Sequence, residues 1–167
     1  AGSDSGGGAG VQADIKTVTA LGGFAATAIT ALTAQNTQGV DAILDVPADF
    51  VARQMRAVLS DLGADSIKTG MLGNGDVIEA VCQVLEKDAM GIPLVVDPVM
   101  VAKGGALLLD AAAVEVLKSR LLPMAALLTP NLPEAEALTG MTVRAVGDME
   151  ATAAALLATG AKAVLLK

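Results

Sequence analysis

The 167-residue chain has no histidine, tryptophan or tyrosine, only two phenylalanines and a single cysteine. Each absence excludes something. Without histidine, no histidine-based triad and no histidine metal site can be built within this stretch. One cysteine, Cys82, forbids an intrachain disulfide, as expected of a protein from a reducing cytoplasm. Lysine and arginine total 11 against 18 acidic residues and never form a run, which argues against a nucleic-acid partner. No stretch of about 18 apolar residues occurs, and no basic segment precedes an apolar one, so neither a membrane span nor a signal peptide is read.

What remains is rich in small aliphatic residues. The hydrophobic fraction is 53%, supplied by Ala, Val, Leu, Ile and Met, which suits tight packing of helices on a sheet. The length suggests one domain, residues 1–167. The chain opens at Ala1 without a methionine and closes at Lys167 directly after an apolar run, so a domain cut at both ends is expected.

Two patterns alternate along the chain. Short apolar runs over Ala25–Leu32, Ser66–Thr69, Leu94–Val99, Ala126–Thr129 and Ala163–Leu166 read as buried parallel strands. Between them lie stretches of helical period. One places Phe50, Val51, Met55, Val58, Leu59 and Leu62 on a single face, with Pro47 and Asp49 at its start and Gly63 at its stop. Another carries Val77, Ile78, Val81, Cys82 and Leu85 inward, a third Val114, Leu117 and Leu121, and a fourth Met149, Leu156 and Leu157 with Gly160 as its stop. Strand and helix in alternation imply right-handed crossovers and a parallel sheet covered on both faces. Ligands of such sheets sit beyond the carboxyl ends of the strands.

The unusual residues stand at those ends. The opening segment, Gly2 through Gly10, is glycine-rich and precedes a helix, which lets backbone N–H groups approach an anion or a polar ligand. It lacks the Gly-Lys-Ser/Thr ending of a phosphate-binding loop, and no acidic residue stands about 20 positions on as a dinucleotide fingerprint requires. A plain flexible turn is the alternative. Gln35 and Asn36 form an amide pair after the first run; they could read the edge of an amino-substituted heterocycle or simply cap a loop. Asp97 lies within an apolar run, where a carboxylate needs a partner such as a metal ion or a phosphate-bound cation; a structural, hydrogen-bonded Asp is the alternative. Asn131 and Glu134 are three apart at a strand-to-helix turn; on spacing alone they read first as a helix capping box, and second as holders of a hydrated Mg²⁺. Lys167 could set a cation on a transferring phosphoryl group or be an ordinary strand end. Met71 could pack on a ligand ring or fill the core, and Cys82 reads as structural.

Taken together and in order, these strings resemble those of the hydroxymethylpyrimidine/phosphomethylpyrimidine kinases of thiamine biosynthesis, in the ribokinase superfamily. The strings are Ala1-Gly-Ser-Asp-Ser-Gly-Gly-Gly-Ala-Gly-Val-Gln-Ala-Asp14-Ile-Lys16-Thr, Ile29-Thr-Ala-Leu-Thr-Ala-Gln35-Asn36-Thr37, Lys68-Thr-Gly-Met71-Leu, Val96-Asp97-Pro98-Val99-Met100-Val-Ala-Lys103 and Leu128-Thr-Pro-Asn131-Leu-Pro-Glu134-Ala. The resemblance implies a three-layer α/β/α kinase domain with a mostly parallel central sheet, lacking its first strand and its C-terminal anion-hole segment. It implies phosphorylation of 4-amino-5-hydroxymethyl-2-methylpyrimidine, and then of its monophosphate, with ATP and Mg²⁺. It assigns Gly2, Asp4, Asp14, Gln35, Met71 and Val99 to the pyrimidine, Asn131 and Lys167 to ATP phosphates, and Asp97 and Glu134 to the metal. The catalytic base is expected beyond Lys167, so this stretch alone is expected to be inactive. The resemblance is compatible with a homodimer. The other readings are a pyridoxal kinase, which shares the fold, and a non-catalytic pyrimidine-binding remnant.

Overall fold

In the computed structural model, residues 1–100 and 109–167 are described. The end of one motif, from Val101 to Lys103, lies outside them. The chain runs α1 (Gly10–Ala20), β1 (Ala31–Gln35), β2 (Val40–Asp45), α2 (Ala48–Asp61), β3 (Ile67–Thr69), α3 (Gly75–Asp88), β4 (Leu94–Val96), α4 (Ala111–Val116), β5 (Leu127–Leu128), α5 (Leu132–Thr139) and α6 (Val146–Leu157). Between α4 and β5 the chain winds through a π turn, Leu117–Leu121, and a 3₁₀ turn, Leu122–Met124.

Strands β3, β4 and β5 form a parallel sheet in that order, with Lys68 opposite Val95 and Val96 opposite Leu128. The last apolar run extends it. Leu128 N–H donates to Ala163 O at 2.9 Å, Leu165 N–H donates to Leu128 O at 2.8 Å, and Val164 pairs with Leu128 in parallel. Four of the five runs therefore lie side by side as expected.

The first run does not. Strand begins only at Ala31, and β1 pairs antiparallel with β2 in a separate hairpin. β2 was not foreseen, for a physical reason. Its residues are exposed or at most half-buried, so it carries no buried-run signal. A turn over residues 36–39 closes the hairpin, with the Asn36 carboxamide oxygen accepting from Gln38 and Gly39 N–H. Asn36 is thus a loop cap.

The core lies between the sheet and its helices. All five residues read as the inner face of α3 are buried, and Leu117, Leu121, Leu128, Leu138 and Leu156 join them. In α2, Val51 is buried and Met55 and Leu59 pack against the core, but Phe50 and Leu62 are exposed. Phe50 is rotated by about 100° from Val51 on the helix, and Leu62 falls at the C-cap, where α2 has ended. Leu157, read as inward in α6, is exposed as well.

Candidate functional site at the strand ends

Parallel pairing brings the carboxyl ends of β3, β4, β5 and the last run to one edge. Thr69-Gly70-Met71, Asp97, Asn131 and Lys167 follow those ends in turn. Asp97 N–H donates to Thr69 O, Thr129 N–H to Val96 O, and Lys167 N–H to Pro130 O, so backbone ladder bonds continue into the site.

The glycine-rich loop is folded around a carboxylate. Asp4 Oδ1 accepts from Gly6 N–H at 2.8 Å, and Oδ2 accepts from Gly8 N–H at 3.0 Å and Ala9 N–H at 2.8 Å. Burial works against the charge on Asp4, but the N–H groups of Gly6, Ala9, Gly8 and Gly7 together outweigh it and hold the carboxyl below the usual range. Glycine is required at position 10: φ is +56°, and a Cβ there would stand 2.5 Å from Gly2 O. The loop docks on the hairpin. Ser3 N–H donates to Ala31 O, Thr33 Oγ1 to Ser3 O, and Ser5 Oγ both donates to Gln35 O and accepts from Gln35 N–H.

This docking assembles the first half of the site. A Cβ on Gly2 would lie 3.3 Å from Met71 Sδ, so Gly2 and Met71 are in contact distance across the chain. Gln35, half-buried at the end of β1, has its backbone pinned, while its carboxamide makes no hydrogen bond among the described residues. Val99 is half-buried and turns back tightly, its N–H donating to Asp97 O at 2.9 Å.

The second half is a chain of alternating charges. Lys68 Nζ stands 3.1 Å and 3.3 Å from the two oxygens of Asp14 on α1, and 3.9 Å from Asp97 Oδ2. Asp97 Oδ1 accepts from Lys167 Nζ at 3.1 Å and from Thr129 Oγ1 at 3.4 Å. Lys68 was quoted in a motif but not assigned to the site. Its signal was the alternation within β3, where Thr69 is buried and Lys68 exposed.

Asn131 and Glu134 form a reciprocal capping box at the start of α5. Asn131 Oδ1 accepts from Glu134 N–H and Glu134 Oε2 accepts from Asn131 N–H, both at 2.9 Å. The Glu134 carboxyl is raised above its usual range, by burial first. Asp97 adds to the rise, while Asn131 N–H, Lys167 and Met100 N–H oppose it. Two repelling carboxylates beside a strand end are a donor set that a hard divalent cation relieves. No group of three or more His, Cys, Asp or Glu residues that could hold a metal occurs among the described residues.

Residues 4–167 match the phosphomethylpyrimidine kinase family model. The chain is 51% identical over 167 residues to hydroxymethylpyrimidine/phosphomethylpyrimidine kinase of Haemophilus influenzae, covering all of this chain and 62% of that protein. It thus spans less than two thirds of that relative's length. The crystal structure of phosphomethylpyrimidine kinase from Clostridium difficile superposes with a TM-score of 0.91 at 43% identity, covering 99% of this chain and 71% of the other. Pyridoxal kinase from Staphylococcus aureus, in complex with AMP-PCP and pyridoxal, superposes with a TM-score of 0.86 at 36% identity, covering 99% and 59%. These structural neighbours share the ribokinase-like α/β architecture expected above. By its sequence and its fold, the chain belongs to the phosphomethylpyrimidine kinase family.

Proposed function

We propose that the protein carrying this chain phosphorylates the hydroxymethyl group of 4-amino-5-hydroxymethyl-2-methylpyrimidine with ATP, and then phosphorylates the resulting monophosphate. The observation that carries the reading is the charge chain Asp14–Lys68–Asp97–Lys167, which runs from α1 across the strand ends to the last run of the sheet. Phosphoryl transfer through a loose transition state asks for positioning and charge stabilisation above all. Gly2 and Met71, which approach each other, are the apolar surface proposed for a flat ring, with Val99 assigned to the same ring, and the Gln35 carboxamide, unengaged among the described residues, offers one acceptor and two donors to an aminopyrimidine edge. Asp4 acts through the loop it holds, and Asp14 through Lys68. Lys167 stabilises charge on the transferring phosphoryl group, and the Asn131 cap presents the start of α5 to phosphate.

Asp97 and Glu134 are the residues that would hold Mg²⁺. When bound, the ion neutralises negative charge on the ATP phosphates. The group that takes the hydroxymethyl proton is proposed to lie outside residues 1–167. In support, Cys82 is buried in α3 with its thiol pushed up to about 11, and the chain has no imidazole. A single cytoplasmic catalytic domain, working as a homodimer, fits this reading.

The test is ADP release from ATP and Mg²⁺, with the hydroxymethylpyrimidine, its monophosphate and pyridoxal as separate acceptors. It is run on the 167-residue chain and on a chain extended to the relatives' length. Pyrimidine-dependent release by the extended chain is expected, with silence from the shorter one. Release with pyridoxal alone would turn the assignment to a vitamin B6 kinase. Binding of the pyrimidine without turnover in the extended chain would make it a binding remnant.

A further inference from the structure

Two acceptors of opposite character are proposed for one pocket: a neutral alcohol, and a phosphate monoester that is largely a dianion above pH of about 6. The second needs a cation that the first does not. We propose that Lys68 is that cation: it binds the phosphate of the phosphorylated acceptor and sets the preference of the site for the second transfer. The inference rests on the kinase reading above and deepens it.

The geometry singles out Lys68. Its ammonium lies beside Gly70, where a Cβ would stand 3.6 Å from Nζ, and the next residue, Met71, contacts Gly2. It therefore sits at the border between the proposed ring pocket and Asp97. Lys167, the second lysine beside Asp97, is engaged with Asp97 Oδ1 at 3.1 Å.

Lys68 is held but not saturated. It has three N–H donors. Among the described residues, both contacts under 3.5 Å are to the one carboxylate of Asp14, and the approach to Asp97 at 3.9 Å is too long for a hydrogen bond. Its side chain is 42% exposed, so an incoming anion can reach it without unpacking the core. Without Lys68, the acceptor's phosphate would lie near the Asp14 carboxylate with no described lysine beside it on that side of Asp97, and like charges at such range repel.

The chemistry differs between the two steps in a way that suits this role. In the first, the hydroxymethyl oxygen forms a bond to the γ-phosphorus, its proton must leave, and the bond from that phosphorus to the ADP oxygen breaks. In the second, a phosphate oxygen that carries no proton makes the same attack, and ADP leaves with the bonding pair. Proton removal then matters less than holding the dianion against its neighbours.

The test is steady-state kinetics of the relatives'-length kinase as wild type, Lys68→Met, Lys68→Gln and Lys68→Arg, with each acceptor in turn. Charge-assisted hydrogen bonds at a partly solvated site predict that kcat/KM for the monophosphate falls about tenfold or more beyond any loss for the alcohol. The change should appear mainly in KM, and Lys68→Arg should recover part of it. Equal losses on both acceptors, or a change confined to KM for ATP, would overturn the proposal. Lys68→Gln keeps it open to refutation should Lys68→Met fail to fold. A wild-type enzyme that phosphorylates neither acceptor would overturn the kinase reading itself, and this inference with it.

Discussion

Lys167 Nζ lies 3.1 Å from Asp97 Oδ1, although 70 positions separate the two residues in the chain. The contact exists because the last apolar run lies beside β5, which lies beside β4. The side chains are 49% and 20% exposed, so the pair contributes at most about 1 kcal/mol to stability. Its proposed value is to the reaction. Lys167→Met in the relatives'-length kinase is expected to lower kcat by about a hundredfold or more, with a thermal midpoint close to that of the wild type. An unchanged kcat would remove Lys167 from phosphoryl transfer.

Asp4 organises the opening loop through three backbone donors, and its pH behaviour follows. The folded-state pKa lies below the ordinary value of 3.8, so the carboxylate stabilises the fold above that value. That contribution is lost as pH falls through the lower, folded-state pKa. Asp4→Asn keeps an acceptor on one side only and should lower the melting temperature less than Asp4→Ala, which orphans all three N–H groups. The stability gap between wild type and Asp4→Asn should close as pH is taken from about 7 to about 2. A gap independent of pH would deny the charge any role.

Thr69 carries a buried hydroxyl with no hydrogen-bond partner among the described residues. Its neighbour Lys68 points the other way along β3, toward Asp14. Replacing an unsatisfied buried hydroxyl by a methyl of the same shape removes a desolvation penalty. Thr69→Val is expected to raise stability by about 1 kcal/mol. Urea unfolding should show a higher midpoint at an unchanged m value. A lower midpoint would mean the hydroxyl has a partner in solution.

Cys82 is fully buried on α3, and burial pushes its thiol up to about 11 from an ordinary value near 9. It should resist alkylation at a pH of about 8 in the folded protein and react stoichiometrically once the chain is unfolded. The sign of its pH linkage is opposite to that of Asp4. As pH rises past about 9 the unfolded thiol ionises first, so stability declines until the folded thiol also ionises near 11. Rapid modification of the native protein would place the thiol at the surface.

Much of this was legible because single-residue periods carry it. The inner face of α3 could be read residue by residue, since Val77, Ile78, Val81, Cys82 and Leu85 keep a strict helical period and all are buried. The capping role of Asn131 and Glu134 was legible for the same reason, as their spacing alone defines the box. β2 and Lys68 were not. β2 is held by pairing with β1 rather than by burial, and Lys68 takes its place from Asp14 and Asp97, 54 and 29 positions away. Phe50 fitted the apolar pattern of α2 yet is exposed, because a pattern states what could face a core and not where the core ends.

The amino-acid sequence by itself determined the class of fold, four of the five parallel runs and the positions at which polar residues follow them, because those depend on local periodicity and on the rule that such sheets bind at strand ends. Only the tertiary structure decided what the polar residues do to one another. It turned both Asp4 oxygens toward their own loop, set Gly2 against Met71, and strung Asp14, Lys68, Asp97 and Lys167 into one line of alternating charge. Electrostatic pairing acts over a few ångströms of space, and such distances between residues tens of positions apart are set by packing rather than by spacing along the chain.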